Sequence, residues 1–136
     1  MTDNVREAKA RWRDKLLFEG GAPGRPPFLV DGDAETATSP AELLLLAAAT
    51  CAASDVVLLL GKMRVRLGSL DVTMRGTRRD TDPKRYTAIH FRFAIGGEGA
   101  DETKARRAID LSLEKYCSVV ASLAPDIRIS YDVTLA

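Results

Sequence analysis

From Ser39 to Arg64 the chain reads SPAELLLLAAATCAASDVVLLLGKMR, a segment rich in Leu and Ala with no glycine or proline between Pro40 and Gly61. Both residues are strong helix formers, so the segment predicts one long helix. Ser39 and Glu42 have the S-x-x-E spacing of a capping box, in which each side chain satisfies a backbone N–H of the other residue. Pro40 falls at the first helical position, where its missing N–H costs nothing. Only Glu42, Thr50, Ser54 and Asp55 interrupt the apolar character. A helix without a polar face must be covered on every side. A membrane span would need about twenty predominantly apolar residues with few charges, and here the uninterrupted runs end at Leu43–Ala49 and Val56–Leu60.

Beyond Gly68 the period switches to two. Asp71, Thr73 and Arg75 alternate with Val72 and Met74, and His90 and Arg92 alternate with Ile89, Phe91, Phe93 and Ile95. These are half-buried strands, and the charged segment Arg78–Arg85 between them suits an antiparallel hairpin. From Asp101 to Leu123 helical spacing returns, with Ala105, Ala108, Ile109, Leu113, Tyr116, Cys117 and Val120 on one side. Pro125 stops that helix, and the alternation from Ile127 to Leu135 predicts a closing strand. Ahead of the long helix, glycines and prolines from Gly20 to Pro27 follow the Arg6–Phe18 segment and precede a short strand at Phe28–Val30.

This order has no strand-helix-strand alternation, which points to an α+β layer architecture with antiparallel sheets rather than a doubly wound sheet. So few elements cannot cover an all-round apolar helix, and a homodimer burying Ser39–Gly61 is the economical solution.

Length and composition narrow the function. One hundred and thirty-six residues make a single domain, 1–136, and 46% hydrophobic with 29% charged residues is ordinary globular composition. The net charge of +1 singles out neither nucleic acid nor an anionic membrane as partner. Nine Lys/Arg between Lys62 and Arg92 stand against Asp71, Asp80 and Asp82. They fall on strand faces and a hairpin loop that must be wet, with Tyr86 the one evident base-stacking aromatic there, so the expectation is no nucleic acid and no membrane. Met1–Lys15 carries no hydrophobic leader, giving a cytoplasmic expectation.

Two cysteines and His90, the lone histidine, are too few for a zinc site unless carboxylates complete it, and neither metal nor cofactor is expected. Cys51 lies midway along the first helix and Cys117 on the second. Each reads either as a small buried hydrophobe or as a reactive thiol, since reactivity depends on a lowered pKa and on access that sequence does not display.

The segments Ser39–Val57 and Arg107–Val119, each centred on a cysteine, resemble the two cysteine helices of the OsmC/Ohr superfamily. The similarity is strongest to its YhfA-like branch and extends to Lys62-Met63-Arg64 and to the Trp12–Phe18 stretch. The resemblance implies an intertwined homodimer with sheets packed on a long buried central helix and on a second amphipathic helix. It also implies a thiol-dependent reductase of organic hydroperoxides in oxidative stress defence. Cys51 would attack the peroxide, Cys117 would resolve the sulfenic acid as a disulfide, and a dithiol reductant would reset the pair.

In the peroxidase branches a glutamate directly follows the helix-starting proline and pairs with an activating arginine from the N-terminal region. Here Ala41 follows Pro40, and Glu42 comes one position late, about 100° further round the helix. Arg25 is the candidate arginine, with Arg11 and Arg13 as alternatives. Asp55, one turn beyond Cys51, either orients an arginine or is a hydrogen-bonded helix residue; alone it would disfavour a thiolate. The competing reading is a non-catalytic member that binds a small apolar molecule at the dimer interface.

Overall fold

The computed structural model describes residues Asn4 to Ala136, so the start of the Met1–Lys15 stretch lies outside the described residues. The chain divides into two compact units, Met1–Leu44 and Leu45–Ala136.

The N-terminal unit is an antiparallel meander of β1 (Lys9–Asp14), β2 (Leu17–Gly21) and β3 (Phe28–Asp31). Trp12 faces Phe18 across the first pair, and its indole N–H donates to the Lys15 carbonyl at 2.7 Å in the connecting turn. Gly20 is obligatory, because a Cβ there would meet the Lys9 carbonyl oxygen of β1 at 2.0 Å. The loop after β3 is organised by Asp31, whose buried carboxylate accepts the N–H groups of Asp33, Glu35 and Thr36 and the Thr36 hydroxyl. The Thr36 N–H above all holds its carboxyl below the usual carboxylate range.

Helix α1 (Pro40–Lys62) begins in this unit and runs on into the next. Its capping box is in place, the Ser39 N–H donating to Glu42 Oε1 at 3.0 Å and the Glu42 N–H to Ser39 Oγ at 3.1 Å.

In the C-terminal unit β4 (Arg66–Arg78) and β5 (Tyr86–Glu98) form the expected antiparallel hairpin. Ile89, Phe91, Phe93 and Ile95 point inward and are essentially fully buried. His90 lies half-exposed on the opposite face, its ring nitrogens 2.7 Å from Ser130 Oγ and 3.0 Å from Asp132 Oδ2.

The expectation of antiparallel sheets fails at one edge, because β6 (Arg128–Leu135) joins β5 in parallel. The intervening helical segment is long enough to carry the chain back to the end of the sheet where β5 began, which a parallel pairing requires. That segment is α2 (Glu102–Leu111), capped by Asp101, then a π turn (Ser112–Tyr116), then a single short turn, α3 (Ser118–Ala121). Tyr131 ties β6 to α2 by donating its hydroxyl to Asp110 at 2.7 Å, with the Arg106 guanidinium over its ring.

On α1 the buried residues are Ala48, Ala49, Ala52, Val56 and Leu60, one helical stripe. Leu44, Leu46, Val57 and Leu58 stay exposed, Leu58 at 66%, so the cover expected on every side is supplied by this chain on one face. Leu45 meets β4 where Gly76 leaves room, since a Cβ on Gly76 would fall 2.4 Å from the Tyr86 ring and 3.0 Å from Leu45.

Two substitutions test these supports by urea unfolding. Gly76→Ala forces a methyl into a filled site and should cost about 1–3 kcal/mol, while Ser39→Ala removes half of the capping box and should cost about 1 kcal/mol. A Gly76→Ala variant as stable as wild type would show that Tyr86 and Leu45 do not pack as described.

Candidate functional site: a two-thiol centre on α1

The helix expected to run unbroken from Asp101 to Leu123 is interrupted at Cys117, and the interruption builds the site. The Cys117 N–H reaches back five residues to the Ser112 carbonyl at 2.7 Å, closing the π turn, and Cys117 itself is extended, at φ −72 and ψ 104. Such bulges occur at functional sites more often than chance allows. Cys117 then caps α3 in place of the usual Ser or Asp, its sulfur accepting the Val120 N–H at 3.5 Å.

The extended residue turns Ser118 and Val119 toward α1. Cys51 Sγ lies 3.6 Å from Ser118 Oγ and interacts with the backbone N–H groups of Val119 and Ser118 and with the Cys117 thiol. Both cysteines are free thiols; Cys117 is buried and Cys51 partly accessible.

Their environments drive the two thiols apart. Partial burial pushes Cys51 up, but the Val119 N–H, the Ser118 hydroxyl, the Cys117 thiol and the Ser118 N–H together outweigh it, so Cys51 ionises below an ordinary thiol. Cys117 goes the other way. Burial, reinforced by the neighbouring Cys51 sulfur and only partly offset by the Val120 N–H, pushes it up to about 11. The Cys51 sulfur thus ionises more readily than its neighbour, which holds its proton to higher pH.

The Asp55 carboxylate accepts the Ser112 hydroxyl at 2.9 Å. Ser112 is fully buried and its hydroxyl also lies 3.4 Å from the Ala52 carbonyl. Because the Ser112 carbonyl receives the Cys117 N–H, this clamp sets the broken helix in register against α1. Asp55 therefore acts through Ser112 as a positioning residue. Glu42 is used by the capping box, and the Ser39 N–H above all keeps its carboxyl ionised to lower pH. Arg25 is exposed in the N-terminal unit, where it lines a hollow of about 280 Å³ with Lys9, Arg11 and Glu19. Arg13 pairs with Glu19 at 3.0 Å.

Ser112 and Ser118 were not singled out from the sequence. The C-S pair at 117–118 was the available signal, since a small hydroxyl residue directly after a cysteine can share its turn. Among the described residues, no group of three or more His, Cys, Asp and Glu side chains could hold a metal ion.

With this geometry, comparison with known proteins is informative. Residues 31–132 match the family of OsmC-like proteins. Protein YhfA of Escherichia coli K12 is 36% identical over 133 residues, covering 96% of this chain and 99% of its own length. The chain belongs to the OsmC-like family. The crystal structure of an OsmC-like protein from Mycoplasma pneumoniae superposes with a TM-score of 0.84 at 17% identity, over 98% of this chain and 99% of that one. The organic hydroperoxide resistance protein OhrB of Bacillus subtilis shares the fold more distantly, with a TM-score of 0.64 at 13% identity over 96% and 98% of the two chains.

The separation of the two thiols has a direct readout. In iodoacetamide labelling followed residue by residue by mass spectrometry, Cys51 should titrate below the ordinary thiol value of 9.0 and Cys117 only as the pH approaches 11. Equal labelling of the two across pH 7–9 would contradict the arrangement. Ser112→Ala, which releases the clamp, should move Cys51 back toward 9.0.

Proposed function

We propose that this chain is a thiol-dependent peroxidase that reduces organic hydroperoxides, working as a cytoplasmic homodimer in oxidative stress defence. The observation that carries the reading is the pairing of an acidified, partly accessible Cys51 with a Cys117 thiol that keeps its proton. Membership in the OsmC-like family, and the name of the Bacillus subtilis protein with this fold, support it.

The chemistry follows from the two states. The Cys51 thiolate attacks the terminal oxygen of the hydroperoxide; the S–O bond forms as the O–O bond breaks, and the departing alkoxide takes a proton from water to give the alcohol. Cys51 is then a sulfenic acid, two electrons more oxidised. Cys117 attacks it, giving a disulfide and one water, and a dithiol reductant restores both thiols while becoming a disulfide itself. The dithiol attacks the partly accessible Cys51 sulfur of the disulfide, forming a mixed disulfide and releasing Cys117 as a thiol, and its second thiol then frees Cys51.

The exposed leucines and valine of α1 support the homodimer, because a second copy of that helix would cover them. The second reading, a non-catalytic member that binds a small apolar molecule, draws on Ala41 and on an apolar hollow of about 510 Å³ in the N-terminal unit, lined by Leu16, Phe18, Phe28 and Val30 among others.

A titration of the reduced protein with tert-butyl hydroperoxide separates the readings. A peroxidase should lose both thiols at about one equivalent with a mass decrease of two hydrogens. Cys117→Ser should stop at a trappable sulfenic acid on Cys51, and Cys51→Ser should consume no peroxide. Thiols unchanged under excess peroxide would exclude the peroxidase reading and leave ligand binding.

A further inference from the structure

We propose that Ser118 is a catalytic residue, its hydroxyl donating to Cys51 Sγ so that the sulfur is held ready to attack. This deepens the peroxidase reading and rests on Cys51 being the attacking thiol.

The geometry comes first. Ser118 Oγ is 3.6 Å from Cys51 Sγ, within hydrogen-bonding range for sulfur, and bridges residues 67 positions apart in sequence. Folding does not explain the hydroxyl. The cap of α3 is the Cys117 sulfur, which accepts the Val120 N–H, so Ser118 has no capping task of the kind Ser39 performs. Its carbonyl accepts the Ser122 hydroxyl at 2.8 Å, but that bond uses backbone and would survive loss of the side chain. Ser118 is exposed, where a serine without a task is freely replaceable.

The chemistry gives the contact its direction. Facing a protonated thiol, a hydroxyl can donate or accept; facing a thiolate, it can only donate, to a full negative charge, and the bond strengthens. The contact therefore favours the ionised sulfur, in the direction that Cys51 is found to move. The backbone N–H groups of Ser118 and Val119 act in the same sense, but substitution cannot remove them, which leaves the hydroxyl as the testable donor. Its proton stays on Oγ throughout. During attack the new bond runs from Sγ to the terminal peroxide oxygen and the O–O electron pair leaves with the alkoxide, protonated by water. Ser118 stabilises the nucleophile and takes no part in the proton balance. With Glu42 committed to the capping box, the Cys117–Val119 turn supplies the activation that the family resemblance assigns to a glutamate and arginine.

The test compares wild type, Ser118→Ala and Ser118→Thr in the full chain. It measures the pH midpoint of Cys51 alkylation by iodoacetamide and the second-order rate of Cys51 oxidation by tert-butyl hydroperoxide, with circular dichroism to verify folding. Ser118→Ala should raise the midpoint by about one unit and slow alkylation at pH 7 about tenfold, with a similar loss in peroxide rate. Ser118→Thr, which keeps the hydroxyl, should restore both to within about twofold of wild type. A folded Ser118→Ala protein with the wild-type midpoint would overturn the proposal, as would a threonine variant no better than alanine. A wild-type protein inert to peroxide would refute the peroxidase reading instead, while the alkylation midpoints still decide whether Ser118 holds the thiolate.

Discussion

Everything chemical in this molecule depends on one trade: the cost of moving a sulfur anion partly out of water against the donors turned toward it. Cys51 is partly buried, which alone would keep it protonated. Two backbone N–H groups, a hydroxyl and a neighbouring thiol offset that cost. These donors converge because the chain at Cys117 leaves helical geometry, and the break is held in place by the Ser112 carbonyl and the Asp55 carboxylate. A continuous helix through Cys117 would have spent the N–H groups of Ser118 and Val119 on its own carbonyls. The π turn and the lowered pKa of Cys51 are thus two aspects of one arrangement.

The same arrangement divides labour between the sulfurs. Cys117 caps α3 and is buried, and the anion it would become is disfavoured both by burial and by Cys51. In the proposed cycle it would therefore wait as a thiol until its neighbour's charge is gone. Once Cys51 carries oxygen instead of charge, the electrostatic obstacle to Cys117 ionising falls with it. The order proposed above, attack by Cys51 and then resolution by Cys117, would follow from the coupling of two otherwise similar side chains, as in other sites where neighbouring groups are driven apart in pKa.

The α+β class, the boundaries of α1, its capping box, the hairpin and the inward faces of β5 and β6 were legible in the sequence, because each rests on local periodicity or on a cap of fixed spacing. Two features were hidden for the same reason. Apolar residues at 105, 108, 109, 113, 116, 117 and 120 keep a helical period straight through the break, so the π turn leaves no mark on the pattern. The parallel seating of β6 depends on where the crossover delivers the chain, a tertiary outcome invisible in the alternation from Ile127 to Leu135. The cysteine pair could be named from its resemblance to a family, whereas Ser112 and Ser118 act through contacts 57 to 67 positions away along the chain, beyond the reach of any spacing argument. Asp55 shows the limit from the other side: its helix position was readable, but the sequence left open whether it orients an arginine or is a hydrogen-bonded helix residue, and in this chain it accepts the Ser112 hydroxyl.

The surface of α1 carries the argument one step further. Counting about 100° per residue, Cys51 lies at the border between the stripe buried by Ala48, Ala52 and Val56 and the direction of exposed Leu58. Whatever covers Leu58, about 20° from Cys51 by the same count, therefore comes up alongside the sulfur. Excluding water there would raise the cost of the thiolate and, at the same time, strengthen each donor that holds it. The donors are fixed by the Cys117 break within a single chain, but how completely they prevail would depend on any such cover. In the proposed homodimer, association of α1 with a second copy would thus be coupled to thiol reactivity, because one helix presents both the sulfur and an apolar face.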